Sequence, residues 1–127
     1  MIGDNTKEYE TIKALGETYP LAYNLNVAAR LQATFGSQRE WIDKIYPKDG
    51  EPDLNALIET CKEFINEGID IQNDTTDKKR EFITKKMAGR ILTAVGTGEF
   101  LSKMADTNKS ESTEEPEDET EEDNTPS

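Results

Sequence analysis

The chain predicts an α+β fold, mainly α, with an N-terminal β-hairpin, four to five helices and a disordered acidic C-terminal tail. Three observations carry that prediction. Apolar residues alternate with period two between Glu10 and Tyr23, recur at three- and four-residue spacing from Asn24 onward, and almost vanish from Asp106. Residues 1–9 then form a flexible N-terminus, 10–105 a single hairpin-plus-helices domain and 106–127 the tail. The tail holds ten acids and one lysine, a net of −9 out of −12 for the chain; the preceding 17 acids and 14 bases give the body only −3. Low hydrophobicity and dense like charge cannot offset the entropy of ordering such a tail.

In the hairpin, Ile12 and Ala14 alternate with Thr11 and Lys13, and Tyr19, Leu21 and Tyr23 alternate with Pro20 and Ala22, on either side of Gly16-Glu17. Pairing about that turn sets Ala14 opposite Tyr19 and Ile12 opposite Leu21, one apolar face. Pro20 has no N–H to give a ladder, so a four-residue loop, Leu15–Thr18, with Pro20 on an exposed edge is the expected arrangement. An exposed edge also predicts self-association.

The first helix opens at Asn24, a good N-cap, and carries Val27, Leu31 and Phe35 on one face until Gly36 stops it. Ser37-Gln38-Arg39-Glu40 is a capping box and starts a second helix with Trp41, Ile42 and Ile45 inward. Asp53 caps a third, whose stripe of Leu54, Leu57, Ile58, Cys61, Phe64 and Ile65 places Cys61 among core residues; Gly68 is its expected end. Thr76 is the expected cap of a long fourth helix from Asp77, with Phe82, Ile83, Met87, Ile91, Ala94 and Val95 inward. Its other faces carry the basic candidates Lys78, Lys79, Lys85, Lys86 and Arg90, with Arg80 among them. A solvated face is the plain reading of these bases. A dock for an acidic partner, the chain's own tail included, is the sharper one. Gly96-Thr97-Gly98 interrupts the helix, and a short element to Ala105 follows with Phe100, Leu101 and Met104 apolar.

The composition excludes several chemistries. With no histidine and one cysteine, neither a Cys/His zinc site nor a Ser-His or Cys-His nucleophile can be assembled. The near-neutral body argues against nucleic-acid binding. No apolar run approaches the roughly 20 residues that span a bilayer. No signal peptide is visible, and no cofactor, metal or enzymatic activity is expected; a soluble intracellular protein is.

The run GETYPLAYNLNVAARLQATFGSQREWIDKI, Gly16 to Ile45, resembles the tail assembly chaperones of long-tailed, siphovirus-type phages and prophages. In that family the region is a strand feeding a helix that ends at Phe-Gly. The resemblance implies a non-enzymatic protein of the host bacterial cytoplasm that binds and solubilises the tape measure protein. It also implies help in recruiting tail tube subunits and absence from the finished virion. Exposed apolar strips suit such a client, and the expected partner contacts are Ile12, Tyr19, Leu21 and Tyr23 on the hairpin, with Phe100, Leu101 and Met104 near the end of the body. A different reading is a small helical adaptor or regulatory protein whose acidic arm binds a basic partner.

Overall fold

A computed structural model of the chain describes residues 10–113. The expectation of a flexible segment 1–9, and residues 114–127 of the tail expected to be disordered from 106, lie outside those residues. A two-stranded antiparallel hairpin, β1 (Glu10–Ala14) and β2 (Glu17–Leu21), leads into five helices: α1 (Leu25–Phe35), α2 (Gln38–Ile45), α3 (Leu54–Asn73), α4 (Lys85–Val95) and α5 (Thr97–Thr113). The α+β, mainly α, fold class is therefore the one observed.

The hairpin turn is tighter than expected. Only Leu15 and Gly16 connect the strands, both at positive φ (56° and 79°), the mirror-image turn that matches strand twist. The register moves accordingly, pairing Ile12 with Tyr19, Thr11 with Pro20 and Ala14 with Glu17. The shift is two residues, so the apolar face survives it. Counting outward from the turn, Pro20 now occupies a non-hydrogen-bonded position, where its missing N–H leaves the ladder intact. The four-residue loop is therefore unnecessary. Pro20 is also buried rather than exposed, because α3 lies directly against it.

Helix α3 is the axis of the molecule and runs straight through Gly68, its expected end. A Cβ at Gly68 would stand 2.9 Å from Pro20 Cβ and Cγ and 3.0 Å from the Pro20 carbonyl oxygen. Glycine there sets strand-to-helix distance instead of stopping a helix. Just beyond, the Ala22 N–H donates to the Phe64 carbonyl at 3.1 Å, tying the chain leaving β2 to the helix backbone.

The caps of the first three helices are those expected. The Asn24 side chain accepts from the Asn26 and Val27 N–H groups, Ser37 and Glu40 form the reciprocal box, and Asp53 accepts from the Ala56 N–H. Helix α4 starts later than expected. Thr84, not Thr76, is its N-cap, its hydroxyl accepting from the Met87 N–H at 3.1 Å. Two asparagines of α3 hold the preceding segment out of helix. Asn66 makes paired hydrogen bonds to the backbone N–H and carbonyl of Ile83 (2.8 and 3.0 Å). Asn73 does the same to Arg80 (both 2.9 Å). Backbone groups satisfied in this way are unavailable to a helical ladder.

Gly96, at φ 96°, is the single residue between α4 and α5. Helix α5 continues past Ala105 to Thr113, into the segment expected to be disordered. Of the added residues Thr107 is buried, its hydroxyl donating to the Lys103 carbonyl, and one turn earlier the Lys103 ammonium lies 3.8 Å from Glu10. The core gathers the inward faces of the hairpin and of all five helices around Trp41, Phe64 and Phe100.

Candidate functional site

The expected apolar contact residues belong to the core. Ile12, Tyr19, Leu21, Phe100 and Met104 are buried, Leu21, Phe100 and Met104 completely. Tyr23 and Leu101 are half-buried against them. The reason is mutual cover: α3 takes the hairpin face, and α5 packs on β1 and α4 with Phe100 reaching Phe64, leaving no exposed strip at either place. Phe64 is the common partner, 5.5 Å from the Tyr23 ring and 6.4 Å, edge-on, from Phe100. Trp41 is 2% exposed, stacks on Tyr23 and donates its indole N–H to the Thr60 hydroxyl at 2.8 Å. Cys61 is fully buried, and burial pushes its thiol up to about 12, so it is protonated and inert at neutral pH.

Among the described residues one charged side chain, Glu67, is buried, and it anchors a cluster of more exposed partners. Glu67 on α3 accepts from Asn24 Nδ2 at 2.7 Å and from Arg30 Nη2 at 2.9 Å, with Asn26 Nδ2 at 3.5 Å. Arg30 also donates to Glu63. Burial alone would raise the Glu67 carboxyl, but the hydrogen bonds from Asn24, Arg30 and Asn26 and the Arg30 charge outweigh it and hold the group below its ordinary value. The cluster clamps the start of α1 to α3 and uses its polar atoms in doing so. Its role is structural.

The basic residues do not form the single helical stripe expected of them. Lys78 and Lys79 lie in the connector before α4, and the Lys79 ammonium donates to the Asn73 and Thr76 carbonyls. Lys85, Lys86 and Arg90 alone share a helix, all exposed. Arg80 turns toward the hairpin: Nη1 donates to the Thr18 carbonyl at 3.0 Å, Nη2 lies 3.6 Å from Glu17, and the guanidinium sits 4.7 Å above the Tyr19 ring. Sequence reasoning missed this pin, and the Asn66 and Asn73 holds with it. The only signal was two asparagines seven residues apart, on one side of α3 two turns apart.

Among the described residues the exposed large apolar side chains are Leu15, Leu25, Tyr46, Leu54 and Phe82, and the surface has concavities besides them. Leu15 at the hairpin tip and Phe82 in the connector are each more than half exposed, near the two ends of the Arg80 pin. A cavity of about 110 Å³ lies between α1 and α2, over Tyr23 and Trp41. A cleft of about 410 Å³ runs along β1, bounded by Thr11, Ile12 and Lys13, by Ala94 and Val95 of α4, and by Glu99 and Lys103 of α5. The register turns the backbone groups of Thr11 and Lys13 toward that side, away from β2. The opposite edge of the hairpin is closed: Arg80 takes the Thr18 carbonyl, Pro20 has no N–H, and Ala22 donates to α3.

Among the described residues no group of three or more His, Cys, Asp or Glu is placed to hold a metal, and no helix is long and apolar enough to cross a membrane. Comparison with protein-family models, curated proteins and solved structures finds no match to this chain.

Proposed function

We propose that this chain is a tail assembly chaperone of a long-tailed phage or prophage. It binds and solubilises the tape measure protein, helps recruit tail tube subunits, acts in the host bacterial cytoplasm without catalysing a reaction, and is left out of the finished virion. The observation that carries the reading is the run from Gly16 to Ile45. The residues that resemble the family fold as a strand, a helix halted at Phe35-Gly36, and a capped helix holding Trp41, all in one continuous core.

The surfaces supporting it differ from those expected of the sequence. A helical client has Leu15 and Phe82 to meet, separated by the polar Arg80 pin. An extended segment has the β1 edge, beside the cleft bounded by α4 and α5. Self-association uses the same edge.

The test is to look immediately downstream in the same DNA for a very long, helix-rich reading frame, whose absence overturns the reading, and to co-express its product with this chain. The expected result is transfer of that protein from the pellet to the soluble fraction, reduced when Phe82 is replaced by serine. An unchanged pellet with this chain folded and abundant overturns the reading. The segregation of acid into the C-terminal stretch favours the adaptor instead if the chain captures a basic host protein in a salt-sensitive way.

A further inference from the structure

Helix α4 is electrostatically unlike its neighbours. It carries Lys85, Lys86 and Arg90 and no acid, whereas α2 balances Arg39 and Lys44 with Glu40 and Asp43, and α3 and α5 are net acidic. All three bases are exposed and have no ion-pair partner among the described residues. Arg30, Lys62, Arg80 and Lys103 have one, while Lys13, Arg39, Lys44, Lys48, Lys78 and Lys79 share the lack, so what sets α4 apart is three bases on one helix without an acid. Their placement is locally unfavourable twice over. Lys85 and Lys86 occupy the first turn, where the helix dipole favours negative charge. Lys86 and Arg90 are like charges one turn apart on the same face. The connector adds Lys78 and Lys79 nearby in sequence, against Asp77 and Glu81. An anion on this face relieves each of these costs.

The chain supplies one. Residues 114–127 contain eight acids and no base. Fourteen residues span up to about 50 Å when extended. A domain of about 100 residues has a radius of gyration of only about 13 Å, so the tether reaches α4 from wherever α5 ends. We infer that residues 114–127 dock on the basic face formed by Lys85, Lys86 and Arg90 of the same chain. Each exposed pair is weak, but the tether holds the acids at a local concentration in the millimolar range, so many weak pairs suffice. The tail then screens α4 from other acidic chains, including a second copy's tail. This inference does not depend on the proposed chaperone activity.

A nitroxide on Ser127→Cys in the full chain tests it, read in isotope-labelled amide spectra. Cys61, buried and protonated, stays unlabelled. The expected result is paramagnetic broadening concentrated at the amides of residues 85–90. It should disappear at about 0.5 M salt, where the screening length falls to roughly 4 Å. It should also disappear in the Lys85→Gln/Lys86→Gln/Arg90→Gln variant, whose unchanged spectrum elsewhere certifies folding. Broadening spread evenly over the body, or centred on another element, overturns the inference. So does broadening that survives the triple substitution. Mixing spin-labelled unenriched chains with unlabelled enriched ones separates the sources: broadening that persists in the mixture means the tail docks on a neighbour and overturns the same-chain assignment.

Discussion

At Gly68, α3 meets the ring and carbonyl of Pro20 on β2 with no side chain of its own between them; one residue earlier, Glu67 meets α1 through a buried carboxylate. The first contact is made of shape, and any added atom disturbs it. The second is made of charge and hydrogen bonds, and it tolerates volume better than it tolerates a proton. Placed side by side on one helix, they show how α3 organises the fold in two ways that respond to different perturbations.

The comparison breaks most visibly at the centre of the packed side. Phe64→Ala removes the ring shared by Tyr23 and Phe100 and should cost about 3–5 kcal/mol in urea unfolding. Gly68→Ala should cost about 1–3 kcal/mol, since overpacking against Pro20 outweighs the better helix propensity of alanine. Its cost should be independent of pH. A stabilised Gly68→Ala protein would show that β2 can move away from α3.

Glu67→Gln sharpens the other half. Removing the charge while keeping the shape should cost about 1–2 kcal/mol at neutral pH. Glu67 is held below its ordinary value, so its contribution is complete above the ordinary glutamate range, about 4.3, and is lost as pH falls through the lower folded value. The gap between the melting curves of the wild type and the Glu67→Gln variant should therefore close on acidification. A gap constant with pH would mean that Glu67 titrates alike in the folded and unfolded chain, so that its partners do not favour the charged form. Outside both contacts, Phe82→Ser should change stability by no more than about 0.5 kcal/mol in the same unfolding series. A larger loss would place Phe82 in the core.

Legibility followed the same division. The hairpin, α1, α2 and the start of α3 were readable because their signals are local: Asn24, the Ser37–Glu40 box, Asp53 and the apolar spacings each act within a turn. Gly68 was misread because glycine marks both a helix end and a close approach, and only Pro20, far away in sequence, decides between them. Thr76 and Thr84 present the same capping chemistry; Asn66 and Asn73 choose Thr84 by holding Ile83 and Arg80 extended. The contact residues were misassigned for a related reason. Period-two and helical patterns identify which face is apolar, but not whether the molecule itself covers that face. Here α3 covers the hairpin, and α5 closes over Phe64.

The closed edge of β2 limits what the hairpin can build. A sheet extends without end only if every strand added leaves a fresh edge behind it. Here one border is sealed by Arg80, Pro20 and the bond from Ala22 to α3. Two copies joined through β1 would make a four-stranded sheet with a sealed border at each end, and growth would stop there. A pairing of that kind would end at two copies.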